Sequence, residues 1–310
     1  MEGDYFLRRM VPMVDNPLAP SVTTRDRKGL KFLSIVGDAY NKARLSEEEA
    51  QRVNDTPGLA VLVAGFIAEN RQSIRYAEEE VRSGYGYRSG YRKPVQISDQ
   101  IDILRSHWPQ LNPDGAIRYM KEVYLTLQLP DWVEGPFALI RPGFFSEKYG
   151  EELEEVFKAL AKDLNGKFVN YHEGQLGSDH LRQSAKTISA MVLAMEQQPD
   201  SDILILGEQF GIRHRGRSVR RACEVIQGTP GEFGEGTKNV GTMLLTNPSR
   251  LQHLDDLWID CAGDEYAPDA VGGFGSAPYF VSSSGRVGFS TGGVSHVDGF
   301  YGAASGWSPQ

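Results

Sequence analysis

The spacing of apolar residues divides the chain into a helical first part and an alternating second part. Residues 1–29 mix Pro, Asp, Thr and Arg without a period and read as an irregular arm. From Leu30 to Arg82 apolar positions recur at helical spacing. One helix is predicted near Lys31–Arg44 and a second over Glu47–Asn54, behind Ser46, whose hydroxyl can cap the first turn. A third, Leu59–Val81, starts apolar and ends in AEEEVR, as a helix leaving a core for solvent does. The stretch SGYGYRSGYRKP, Ser83–Pro94, interrupts the pattern with Gly and Pro and marks an exposed loop or boundary. The organisation expected is an arm over 1–29, a helical region over 30–94 and an α/β domain over 95–310.

Past Pro94, helices are predicted at Asp99–His107 and Asp114–Leu127, and after Leu129 short apolar runs alternate with helical stretches. Strands are expected at Phe137–Ile140, Phe168–Tyr171, Ile203–Leu206, Thr242–Thr246 and Leu257–Cys261. Helices are expected at Glu147–Asp163, Ser178–Gln197, Ser218–Gln227 and Ser249–Asp256. Such alternation implies a mostly parallel sheet with right-handed crossover helices. Within Ala277–Thr291, two β-rich runs flank Ser284-Gly285 and predict a hairpin. The fold class expected is therefore α/β, with a helical N-terminal region, a mostly parallel sheet and a C-terminal β-hairpin.

Composition adds exclusions. The 310 residues are 40% hydrophobic and 24% charged, which fits a globular chain and neither a disordered nor a membrane protein. The longest apolar stretch, Leu59–Ala68, is about half the roughly 20 residues a spanning helix needs, and MEGDYFLRRM is too charged for a signal peptide. No membrane partner and a cytoplasmic address are the expectations. A net charge of −8 argues against a general basic coat for nucleic acid, so any anion site must be local. Cys223 and Cys261 form no CxxC pair and read as buried thiols.

In an open parallel sheet ligands bind beyond the carboxyl ends of the strands, and here those positions are polar: Arg141, His172, Glu173, Glu208, Gln209 and Asp260. The sharpest feature is GIRHRGRSVRRACEVI, Gly211–Ile226, with Arg213, His214, Arg215, Arg217, Arg220 and Arg221 between a strand and a helix. Ser218 would cap that helix and Gly216 would let backbone approach a ligand. Arginine forks beside the free N–H groups of a helix start suit phosphate or carboxylate. Arg213, Arg215, Gly216, Arg217 and Ser218 are thus the anion-binding candidates. The same arginines could instead pair with carboxylates of this chain or of a second subunit.

The acidic turn LWIDCAGDEYAPD supplies Asp260, Asp264, Glu265 and Asp269. Asp260 and Asp264 are oxygen ligands that could hold Mg²⁺; Asp260 or Glu265 could serve as base, with His214 as proton donor. GTPGEFGEGTKNVG, Gly228–Gly241, departs from a phosphate loop in its Thr237-Lys238 order and reads as a flexible loop or lid leading into a strand. No GxSxG, HExxH, Cys/His zinc spacing or Walker A sequence is present.

The blocks QFGIRHRGRSVRRA, TMLLTNPSRLQHLDDLWIDCAGDEYAPD and YGAASGWSPQ resemble those of a conserved bacterial protein family, over roughly residues 95–310. The resemblance implies a bacterial, intracellular origin and brings no substrate and no catalytic residue with it.

The function expected is binding of a phosphorylated or otherwise anionic small molecule at the sheet edge, with its turnover left open. Two other classes stay open. A nucleic-acid binder would stack bases on Tyr85, Tyr87 and Tyr91 and hold phosphates with Arg88, Arg92 and Lys93. A self-assembling homo-oligomer would set the Arg cluster of one subunit against the acidic C-terminal region of the next. From Gly228 onward that region has nine carboxylates to three basic residues.

Overall fold

The helical periods at the start of the chain form helices, the second behind a side-chain cap. In the computed structural model the described residues are 25–55, 58, 59, 63, 75–269 and 272–309, and the chain divides into two units, Met1–Glu69 and Asn70–Gln310. In the first unit α1 spans Arg27–Lys42 and α2 spans Glu47–Asp55. Ser46 and Glu49 form a reciprocal capping box at the start of α2: the Ser46 N–H donates to Glu49 Oε2 at 2.8 Å, and the Glu49 N–H to Ser46 Oγ at 3.3 Å. Residues 1–24 of the expected arm and most of the helix expected over Leu59–Val81 lie outside the described residues; from Arg75 to Glu78 the chain is a turn.

The second unit carries α3 (Ile97–His107), α4 (Asp114–Glu122), α5 (Tyr149–Asp163), α6 (Ala185–Gln197), α7 (Val219–Gln227) and α8 (Thr237–Thr246) around two sheets. The first sheet has the order β1-β4-β11-β5, from Gly135–Ile140, Ile203–Gln209, Ser305–Trp307 and Glu232–Gly234. Every pairing in it is antiparallel. The second contains β2 (Phe168–Asn170), β3 (Leu181–Gln183), β6 (Trp258–Asp260), β7 (Asp264–Tyr266), β8 (Ser276–Ser283), β9 (Arg286–Gly293) and β10 (Tyr301–Ala303). Only β10 with β6 and β2 with β9 run parallel there; the other pairs are antiparallel.

The mostly parallel sheet expected from the alternation is therefore overturned. FALI and ILIL are buried on both faces, as parallel strands are, but helices α3, α4, α6 and α8 cover antiparallel neighbours equally well. The crossover β4–α7–β5 does connect strands of the same direction. Its sheet neighbours are nevertheless antiparallel, because β11 from the chain's end inserts between β4 and β5.

Thr242–Thr246, expected as a strand, is the last turn and a half of α8. Every residue of α8 is buried, Thr237, Lys238, Asn239, Thr242 and Thr246 included, so no solvent-facing polar stripe marks it as a helix. Gly241 lets α5 approach: a Cβ there would lie 2.9 Å from Val156. Gly228–Gly241 is likewise no lid. It holds β5 and the start of α8, and residues 232–241 are buried. The helix expected over Ser178–Gln197 begins only at Ala185, where Ser184 Oγ accepts the Thr187 N–H; β3 occupies its first part. The hairpin β8–β9 closes at Ser284 and Gly285, both with positive φ (51° and 72°), as a two-residue type I′ turn requires. Among the described residues no helix is long and apolar enough to cross a membrane.

Candidate functional site

Beyond β4 the chain turns at Gly211, whose φ of 116° and close approach to the Gly302 carbonyl (2.5 Å from a would-be Cβ) exclude a side chain. A 3₁₀ turn, Ile212–His214, then leads into α7, whose N-cap Ser218 accepts the Arg221 N–H. This compact path gathers the arginines and exposes them to carboxylates from elsewhere in the chain. Arg213 grips Glu232 with Nε at 2.7 Å and Nη2 at 3.0 Å, and Arg217 reaches Glu80 at 2.9 Å. Arg220 forks onto Glu79, and Arg221 binds Glu80 at 3.2 Å and Glu224 at 2.7 Å. Ser218 Oγ also donates to Glu79 at 2.6 Å. Gly216, with φ 76°, abuts the Val81 carbonyl, so the close backbone approach it permits is met by the chain itself.

His214 is fully buried between Glu232 Oε1, 2.8 Å from Nε2, and the Arg217 guanidinium, 3.1 Å from Nδ1. Desolvation, together with Arg217 and Arg213, lowers its pKa against the pull of Glu232. The neutral ring donates from Nε2 and accepts at Nδ1. Burial alone would raise Glu232, yet hydrogen bonds from His214, Arg213 and Ser305 hold it at about 2. Arg215 stands apart from this network, with Nη1 donating to the Tyr85 carbonyl at 3.0 Å.

The acidic turn is split between two strands. Asp260 ends β6, where burial pushes its carboxyl up to about 8. Asp264 and Glu265 lie on β7, opposite Gln183 and Arg182 of β3. Asp264 Oδ2 accepts the Thr237 N–H at 2.7 Å and the Tyr149 hydroxyl at 2.8 Å, while Oδ1 is buried without a donor. Burial raises this carboxyl to about 6 despite those bonds. Among the described residues no group of three or more His, Cys, Asp or Glu is arranged to hold a metal ion. In the Tyr-rich loop Tyr87 donates to Glu134 and Tyr91 is buried with its ring 5.4 Å from that of Phe210, while Tyr85, Arg88, Arg92 and Lys93 are exposed.

Two arrangements were not foreseen. The first is an acid pair in the core. Glu208 on β4 lies over Gly306 of β11, where a Cβ would collide with both its carboxylate oxygens, and Glu235 follows β5. All four carboxylate oxygens are buried. Burial raises both carboxyls, and Glu235, beside Glu208, raises Glu208 further.

The second is a cavity of about 960 Å³, walled by β3, β7, the first turn of α6 and the length of α7. Asp264, Glu265, Arg182, Lys186, Arg220 and Cys223 line it. Arg182 pairs with Glu265 through Nε at 2.7 Å and Nη2 at 2.6 Å. Lys186 Nζ donates to the Ile226 carbonyl at 2.8 Å, and no described carboxylate comes within ion-pair distance of it; desolvation lowers its pKa. Cys223 Sγ sits 3.5 Å from the Ala262 carbonyl, with burial raising its thiol to about 12. Arg182 and Lys186 carried no sequence signal, because they are isolated cations on a stretch read as one continuous helix.

No family model, no curated protein and no solved structure matches the chain.

Proposed function

We propose that the protein binds an anionic small molecule in the cavity between β3, β7, α6 and α7, and acts on it by acid–base chemistry. One observation carries this reading: the same cavity presents Lys186, an ammonium with no described carboxylate at ion-pair distance, and is walled by the buried carboxyl of Asp264. A volume of about 960 Å³ lies at the upper end of the range for small-molecule sites. Lysine answers a phosphate or carboxylate as a compact charge. A carboxyl near pH 6 can hold or release a proton close to neutrality, which is what a general acid or base needs. The anion thus falls to Lys186 rather than to Arg213 and Arg217, whose guanidinium groups already face Glu232 and Glu80. Asp264 and Glu265 keep a place in the site, now as wall residues of a cavity.

Isothermal titration with ribose 5-phosphate and with ribose tests the reading. The phosphate ester is expected to bind and the neutral sugar not. Lys186→Met, a change at a solvent-facing position, should weaken the phosphate ester by about tenfold or more at an unchanged melting temperature. Equal binding to wild type and Lys186→Met, or no binding of the phosphate ester at millimolar concentration, overturns it.

A further inference from the structure

We infer that the anion taken by this cavity carries a planar aromatic ring, as a nucleoside monophosphate does; the inference rests on the anion site proposed above. Two guanidinium groups on the cavity wall are built as flat plates. Arg182 lies on the Phe274 ring, its central carbon 3.8 Å from the ring centroid, and Glu265 fixes its edge through Nε and Nη2. Arg220 lies over Tyr76 at 4.6 Å, and Glu79 fixes its edge in the same forked manner.

In both, the charge is answered in the plane by a carboxylate, and an aromatic ring backs one face. What such a group still offers a ligand is its other face, since 55% of the Arg182 side chain and 39% of Arg220 remain exposed. A neutralised guanidinium plate is a poor clamp for a phosphate and a good stacking surface for a heterocycle. Lys186 supplies the unanswered charge for the ligand's anionic end. The cavity is also far larger than inorganic phosphate or a three-carbon acid would fill. Gln183 and Gln227 on its wall can donate to and accept from the edge of a ring.

The test is titration of wild type, Arg182→Lys, Arg220→Lys and Lys186→Met with AMP, ribose 5-phosphate, adenosine and inorganic phosphate. AMP is expected to bind at least about tenfold tighter than ribose 5-phosphate, the gain one stacked base supplies. Arg182→Lys keeps the charge and removes the plate. It should bring that ratio close to one while ribose 5-phosphate binds as in wild type. A wild-type ratio near one, or a ratio that survives in both Arg182→Lys and Arg220→Lys, overturns the ring while leaving the anion site standing. No binding of any phosphate overturns the anion site itself. Adenosine binding as tightly as AMP, with Lys186→Met without effect, also overturns the inference, because the ligand's charge is then unread.

Discussion

Glu208 and Glu235 are neighbouring carboxyls fully buried in the core of the second unit, with Gly306 beneath Glu208. Two carboxylates cannot both be ionised at that separation from water, so the folded state retains a proton that the unfolded chain releases at an ordinary carboxyl pKa. That single relationship gives the protein's stability a definite dependence on pH.

For a carboxyl raised by folding, the stabilisation is complete below the unfolded pKa, about 4.5 for Glu, and is lost as pH climbs through the folded value. Asp264 at about 6 and Asp260 at about 8 act in the same sense. Glu208→Gln places an amide donor against Glu235 and removes the raised carboxyl. Thermal melts between pH 5 and 8 should therefore show wild type losing more stability than Glu208→Gln, by at least about 1.4 kcal/mol, the worth of one pKa unit. Parallel curves for the two proteins would show that the pair holds no proton.

Gly306 is the position that makes the pair possible. A methyl group there would meet the Glu208 carboxylate and the Phe233 ring, both fully buried. Gly306→Ala is expected to cost about 1–3 kcal/mol through overpacking, read as a lower midpoint in urea with an unchanged slope. A wild-type midpoint would mean that β11 shifts freely.

Glu232 joins Arg213, His214 and Ser305 in one buried knot. Its carboxyl is depressed, so its contribution is present above the unfolded value and is lost as pH falls toward 2. Glu232→Gln should destabilise by about 2–4 kcal/mol at pH 7, since the part-buried Arg213 guanidinium loses its counter-charge and buried His214 its carboxylate. It should also flatten the acid side of the stability curve below pH 4. A loss under about 1 kcal/mol, within the range of an exposed ion pair, would sink this assignment.

Lys238 is nearly fully buried and holds Glu152 at 2.9 Å and the Arg141 carbonyl at 3.0 Å. Lys238→Met leaves Glu152 without a partner in the core and is expected to cost about 3–5 kcal/mol in chemical denaturation. The double change Lys238→Met/Glu152→Leu should recover most of that, because no buried charge remains. If the double variant is as unstable as the single, packing rather than charge explains the loss.

What the sequence determined by itself is what neighbouring residues decide. The α2 start follows from Ser46 and Glu49, three residues apart, and the hairpin from the turn residues Ser284 and Gly285. The core strands Phe137–Ile140 and Ile203–Leu206 follow from their unbroken apolar runs. Local sterics and capping act over a few residues and leave a local trace.

Tertiary structure alone decided strand direction, since an apolar run buried on both faces has no polarity to read, and the insertion of β11 between β4 and β5 joins segments about 70–100 residues apart. The same holds for charge. The Arg-rich start of α7 was legible as a cluster wanting anions, but the carboxylates that satisfy it include Glu79 and Glu80, 141 residues before Arg220 and Arg221. Glu208 was visible as a polar residue after an apolar run; that it faces Glu235 was not. The cavity site combines β3, β7, α6 and α7, so its chemistry exists only once the chain has folded.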